Sequence, residues 1–486
     1  MSATASASPW LDKKGARDLA WLAVAFIVLL SVHFAPPWGD LSAQGKSIIG
    51  VFFWFLIVAI SGSANRITLG LTTPLLIVVF CGAKPAVAFQ AFASDTFFLI
   101  IGTFVFAAVM TVTPLGARIA LTLTSLFRSS KISRIFSGLT LGDLAINTFL
   151  PSVAETGLLL PIVTSFQGLT KGHEDDPEVK RINESMMLLI CGVIPLLTGL
   201  LLLTAHLPNM LLAGYLEGEG FKLTFLDWFV MNAPLWLLLP AAIFIFVKIY
   251  KLKDVELPDA DTVIPRMKEE LGPITKSETW SLFCVSVCLF LWLTQGTLHN
   301  IQSGMVSLIL VFLLFLPFGQ LKFQDVMPAV LWDTWILLGG AISLGTCMSS
   351  FGAVDWLVNI VLSPVTGGLI GLPAIAILFI VVFALHIPRA GIVSAGAMGA
   401  MFVPVVISLS STLGFNVVPF TLIVINCLSY AFFLPMSTTA YFIAWGASGV
   451  SMKKAVGIGS VISFVCNVWC IVSLYLWLPI VGYPLM

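Results

Sequence analysis

The chain has 486 residues, of which 58% are hydrophobic and only 10% charged, with 24 basic side chains balanced by 24 acidic ones. Soluble domains carry roughly 25% charged residues, so this composition excludes a water-soluble globular protein and implies an all-α polytopic membrane protein. The zero net charge is silent about acidic partners, but the distribution of charge along the chain is informative.

Residues 1–17 are polar and read as a cytoplasmic tail, disordered over its first ten residues. No small-residue cleavage site follows the first apolar run, so no cleavable signal peptide is evident. Apolar runs near the ~20 residues needed to cross a bilayer lie at about 18–35, 45–61, 67–83, 96–112, 183–203, 225–248, 279–296, 303–318, 333–350, 418–434 and 455–480. Two further stretches, 133–168 and 366–410, read as re-entrant hairpins. With the N-terminus cytoplasmic, 20 of the 24 basic residues fall inside, including the cluster from Lys248 to Lys276. Lys46, Lys84 and Lys222 fall outside, and Arg389 lies in the second hairpin. The positive-inside rule favours this orientation. Making either hairpin a single span would reverse all that follows.

The chain repeats its plan. Asp95-Thr96 and Asp333-Thr334 each open an apolar run, at an offset of 238. Pro161–Ser165 matches Pro404–Ser408 at an offset of 243. Each half then holds an interrupted apolar run, Thr204–Asn209 in the first and Leu434–Tyr441 in the second. Asp95 starts its helix outside and Asp333 inside, so the two repeats are inverted, as in many secondary transporters. The Asp-Thr pairs read as helix caps. The expected organisation is a tail (1–17), a first helix with repeat 1 (18–250, broken helix 183–220), and a cytoplasmic linker (251–277) with room for a short surface helix. Repeat 2 (278–450, broken helix 418–448) and a C-terminal helix (451–486) follow. The eight cysteines lack paired metal-ligand spacing and read as small apolar residues. No metal site, cofactor or nucleic-acid partner is expected.

Breaking a helix at membrane depth frees backbone groups, at several kcal/mol for each one left unpaired, so such breaks survive where they line a site. Hairpin tips and broken helices also bring helix N-termini together, where anions bind. The candidate substrate contacts are Asn147, Thr148, Ser152, Thr156, His206, Arg389, Ser394, Ser437, Thr438 and Thr439. The candidate coupling or ion contacts are Asn147, Thr148, Glu155, Gly199 and Ser394. Arg389 is the expected charge partner of an anion, since a buried charge in a membrane segment is functional by default. Glu155 fits a partner of Arg389, a proton site or a cation ligand, and coupling is its best single role. Asp143 reads as structural. There is no HExxH, and Gly142-Asp143 lacks the full GxGD pattern, so no enzyme is expected.

At these motifs the chain resembles the divalent anion/sodium symporter family, which carries di- and tricarboxylates and sulfate. Ser394-Ala395-Gly396-Ala397 stands ten residues before Pro404, as in that family's hairpin motif. Phe433-Leu434-Pro435-Met436-Ser437-Thr438-Thr439 is similar to its Phe-x-Leu-Pro-Val-Ala-Thr loop. Thr204–Asn209 and Pro114–Ala120 are similar to motifs of its citrate and oxoglutarate/malate exchanger branch. The resemblance implies a homodimer in the lipid bilayer of the cell inner (plasma) membrane, with an elevator-type transport domain and about 11 transmembrane helices plus two re-entrant hairpins. It implies transport of small organic anions, di- or tricarboxylates, as symporter or exchanger, with Na+ or H+ as the coupling ion. A sulfate or sulfonate carrier and an ion/proton antiporter are the alternatives. Neither Ser-Asn-Thr signature of the family is intact here. Fixed charge at Arg389 and Glu155 in place of ion charge favours exchange or proton coupling over sodium symport.

Overall fold

The computed structural model describes residues 13–127, 129–147, 150–173, 175–360, 371–392 and 394–486. The expected tail 1–10, the candidate Thr148 and residues 366–370 of the second expected hairpin lie outside them. The architecture is all-helical. Among the described residues the only strand-like pairings are two isolated bridges, Lys131 with Glu256 and Gln295 with His299. Seven described helices are long and apolar enough to cross a membrane, or up to nine when two bent helix pairs are each counted as one span. The protein is thus a multi-pass membrane protein.

Two compact units divide the chain. One comprises residues up to 94 together with 332–365. Its helices Lys13–Phe34, Ala43–Ser61, Arg66–Cys81 and Trp332–Ser350 follow the apolar runs closely. Small residues let two of them touch: a Cβ on Gly340 would collide with the backbone of Gly70, and one on Gly70 with that of Ile336. Arg66 donates from Nη1 to Asp333 Oδ2 at 3.1 Å and to Thr334 Oγ1 at 3.2 Å, tying the two helix starts together.

The other unit comprises residues 95–331 and 366–486. Here Asp95 does more than start a helix. Its carboxylate accepts from Gly304 N, at 3.0 and 2.9 Å, and so caps the neighbouring helix Ser303–Leu314. The start of its own helix, Asp95–Val112, is capped instead by Glu217, which accepts from Asp95 N and Thr96 N. The apolar run 225–248, expected as one span, is broken. Helix Phe225–Met231 ends at Asn232, a 3-10 turn Ala233–Leu237 follows, and the two arms bend by 55°. Pro234 supplies the reason, because it has no N–H to continue an α-helical ladder.

The hydrophilic segment 251–277 contains a helix, Ala260–Glu270. It is pinned at both ends. Leu257 N donates to Ser130 O at 2.8 Å, and Ile132 N donates to Val255 O at 3.1 Å, at the start of helix Ile132–Asn147. At the far end Arg118 donates from Nε to Glu278 Oε1 at 2.7 Å and from its terminal nitrogens to the carbonyls of Leu271, Gly272 and Pro273. Glu278 is fully buried and also closes a capping box with Thr275. All eight cysteines are buried and free.

Candidate functional site

Residues at four places in the second unit build the site. The first lies between helices Ile132–Asn147 and Ser152–Gly168, where Pro151 stands just ahead of the second helix. The second is the interrupted run after Pro177. Helix Pro177–Met186 widens into a π-helix, Met187–Val193, then a short helix Ile194–Gly199, and it unwinds before helix Leu207–Gly218. The third lies between helix Ala374–Arg389 and helix Ala395–Thr412. The fourth unwinds after helix Val417–Ser429, passes a 3-10 turn Pro435–Ser437, and resumes as helix Thr439–Ser448.

In the second and fourth breaks, freed backbone groups are answered by side chains, as burial requires. Asn209 Nδ2 donates to the carbonyls of Gly199 and Leu202, both at 2.9 Å. Trp228 Nε1 donates to Leu200 O at 3.3 Å. Pro195 lacks the N–H that an α-helix would aim at Cys191 O, and the Thr156 hydroxyl donates to that carbonyl at 3.0 Å. In the fourth segment Phe432 N donates to Ser463 Oγ at 2.7 Å; Tyr441 OH reaches Ala455 O of the last helix, Met452–Trp477, at 3.0 Å. Gly192 lets the two interrupted runs meet, since a Cβ there would press on Tyr441 and Ala444.

A small cavity, about 40 Å³, opens among the four segments. Of the candidates read from the sequence, Ser152, His206, Arg389, Thr438 and Thr439 line it together. Arg389 is 1% exposed. Its Nε donates to Leu428 O at 3.1 Å and its Nη1 to Ile392 O, which fixes the guanidinium plane between the third and fourth segments. Its Nη2 has no protein acceptor, and no acidic side chain pairs with it, among the described residues. A fully desolvated guanidinium without a carboxylate partner is costly unless a ligand supplies the anion. The hydroxyls of Ser152, Ser437 and Thr438 are likewise buried without a partner. The cavity therefore presents one cation and the two free hydroxyls of Ser152 and Thr438, the chemistry of a small-anion site.

The remaining candidates fall beside the cavity. Asn147 Nδ2 lies 2.6 Å from Glu155 Oε2, 2.6 Å from Thr198 Oγ1 and 3.1 Å from Pro195 O. Thr198 Oγ1 is in turn 2.7 Å from Asp143 Oδ2. Asn147, Glu155 and Asp143 thus form one fully buried polar knot, and Asp143 belongs to it rather than standing apart. Glu155 does not pair with Arg389. Thr156 faces Cys191 rather than the cavity. Gly199 lies close behind Ser152, whose Oγ would sit 3.1 Å from a Cβ at 199. Ser394 caps the helix it precedes, accepting from Ala397 N at 3.3 Å. Ser437 is buried with its hydroxyl free but is not on the cavity wall.

Sequence reasoning missed Thr198, the hub of the buried knot, and Ser429, which lines the cavity. Thr198 is the one hydroxyl of its short helix, and Ser429 closes a helix that also carries Thr421 and Asn426. The π-helix left no trace except Pro195 beside a run of apolar residues.

A family model described as the sodium:sulfate symporter transmembrane region matches residues 16–483. The chain is 24% identical over 478 residues to the sodium-dependent dicarboxylate transporter SdcS of Staphylococcus saprophyticus, covering 93% of this chain and 89% of that one. It is 22% identical over 476 residues to SdcS of Staphylococcus aureus strain USA300, covering 94% and 90%. A membrane protein of Cupriavidus necator is 24% identical over 465 residues, covering 91% and 89%. Among solved structures, the YdaH transporter of Alcanivorax borkumensis shares the fold, with a TM-score of 0.55 at 10% identity over 97% of this chain and 99% of that one.

Proposed function

The chain belongs to the family of sodium:sulfate symporters, the divalent anion/sodium symporters, and on that premise we propose that it is a secondary active transporter of small organic anions. It is a transporter and not an enzyme. The observation that carries the substrate reading is Arg389, buried, without an acidic partner among the described residues, and facing a cavity with the free hydroxyls of Ser152 and Thr438. Ser152, His206, Arg389, Thr438 and Thr439 hold the anion, with Arg389 as its charge partner. The sodium-dependent dicarboxylate relatives support dicarboxylates as the cargo and sodium as the coupling ion. Asn147 and Glu155, next to the cavity, act in coupling rather than in substrate contact.

Movement proceeds by alternating access. The two halves are inverted repeats of about 11 transmembrane helices with two re-entrant hairpins, and the hairpins and broken helices move as an elevator-type transport domain of a homodimer. The protein sits in the inner (plasma) membrane with its N-terminus cytoplasmic, the orientation that the distribution of Lys and Arg favours. A sulfate or sulfonate carrier is the second reading. It is favoured by the sulfate in the family description and by hydroxyl donors that suit a tetrahedral oxyanion.

Uptake of labelled succinate into proteoliposomes tests the proposal. Uptake stimulated by an inward sodium gradient and competed by other dicarboxylates is expected. Uptake that ignores sodium but requires dicarboxylate inside the vesicle would make the protein an exchanger, as the altered Ser-Asn-Thr positions and the fixed charge of Arg389 suggest. Competition by sulfate alone would favour the second reading.

A further inference from the structure

We propose that Glu217 is a latch on a sliding seam: its carboxylate holds the helix after the first unwound segment against a neighbouring helix pair, and it lets go each time the site changes the side to which it opens. The inference rests on the transport reading above and names a contact that alternating access must break.

Close packing at glycines welds two helix pairs in the second unit. In one, Asp95–Val112 lies against Ser303–Leu314. A Cβ on Gly102 would collide with Ser307, and one on Gly304 with the backbone of Asp95. In the other, Leu207–Gly218 lies against Ala395–Thr412. There a Cβ on Gly399 would run into Leu211 and press on Pro208, and Tyr215 OH reaches Ala400 O at 3.5 Å. This second pair carries part of the site, since His206, Leu207 and Ala395 line the cavity. Interlocked surfaces of this kind leave little room for one helix to shift against its partner.

The seam between the two pairs is built differently. Glu217, in the last turn of Leu207–Gly218, accepts from Asp95 N at 3.3 Å, Thr96 N at 3.2 Å and Thr96 Oγ1 at 2.8 Å. The two backbone donors are among those a helix start leaves free, and a carboxylate there also meets the positive end of the helix dipole. Asp95 cannot take over the role, because its own carboxylate is turned to Gly304 N. Beside the contact lies a polar cavity, lined also by Lys222, Gln295, Gln302 and Ser303. A released carboxylate and a bared helix start therefore meet polar groups rather than hydrocarbon, which keeps the cost of parting small. A weld has no such exchange available, so the pairs stay whole and the seam at Glu217 is where they part.

Bridging the seam with mercuric ion, which joins two thiolates and is stripped by excess dithiol, tests the latch. The full-length double variant Thr96→Cys/Glu217→Cys is reconstituted in proteoliposomes. Uptake and equilibrium binding of labelled succinate are measured before treatment, after it, and after dithiol. Each single variant is the control, since the native cysteines are buried. Bridging is expected to cut uptake about tenfold or more while binding stays within about threefold, with uptake restored by dithiol. Undiminished uptake by the bridged protein would overturn the inference, and is the result expected of a cap that only stabilises the fold. Where loss of Glu217 alone halts uptake, the pair Leu99→Cys/Ala213→Cys, which lines the same polar cavity and keeps Glu217, gives the same reading. A wild-type protein that neither binds nor takes up succinate or sulfate would bring down the transport reading, and the inference with it. That outcome is distinct from a bridged protein that still transports.

Discussion

The Thr156 hydroxyl shares its one proton between Ser152 O, at 2.9 Å in its own helix, and the carbonyl of Cys191, at 3.0 Å, across from the point where Pro195 denies that carbonyl an α-helical partner. The bond joins the helix that begins at Ser152 to the π-turn that precedes the first unwound segment. One hydroxyl thus holds two walls of the site in register. Replacing Thr156 with the isosteric Val should lower stability by about 1 kcal/mol, the net worth of one hydrogen bond, and should lower transport as well. Thr156→Ser should restore both. Melting curves of the detergent-solubilised variants, paired with uptake, check this. Wild-type behaviour of the Val variant would remove the bond from the account.

Two glycines on one helix make a matched comparison. In Met452–Trp477, a Cβ at Gly459 would run into the carbonyl of Phe432, inside the unwound part of the fourth segment. A Cβ at Gly457 meets nothing within 4 Å. Gly459→Ala should therefore displace the unwound strand and abolish ligand binding, with a lower melting temperature. Gly457→Ala should be neutral, or stabilising by up to about 1 kcal/mol through helix propensity. Equal effects of the two changes would mean that the close approach at Phe432 does not matter.

Much of this was legible in the sequence, and the rest was hidden for identifiable reasons. Hydropathy runs located the long helices because the bilayer demands continuous apolar stretches. Arg389 and Ser152 stood out because polar groups are costly there. The division of candidates between cavity and knot was not legible, since Asn147 and Ser152 lie a few residues apart and differ only in which side of the irregular segment they face. Thr156 looked like a ligand contact for the same reason, although its hydroxyl is occupied by Cys191. The run 225–248 hid its break because the residues from Leu235 onward are apolar and outweigh Asn232 and Pro234.

The linker clamp gives a stability prediction independent of the ligand. Arg118 is the partner of a fully buried carboxylate, Glu278, and also holds three carbonyls at the end of the hydrophilic segment. Arg118→Met leaves that charge uncompensated and should cost about 3 kcal/mol. Adding Glu278→Gln should recover part of the loss, because the buried charge is then gone. A double-mutant cycle from thermal or denaturant unfolding measures the coupling. Additive losses would show that the two residues act separately.

The central claim is that Arg389 supplies the counter-charge for a bound anion. Equilibrium binding of labelled succinate to the purified wild-type protein and to Arg389→Gln, each shown to be folded by its elution profile and melting transition, tests it most directly. Saturable binding by the wild type is expected, with a loss of about 30-fold or more in the variant, the scale of removing one partner from a buried charge pair. Binding by the folded Arg389→Gln protein within about threefold of wild type, a difference of well under 1.4 kcal/mol, would contradict it.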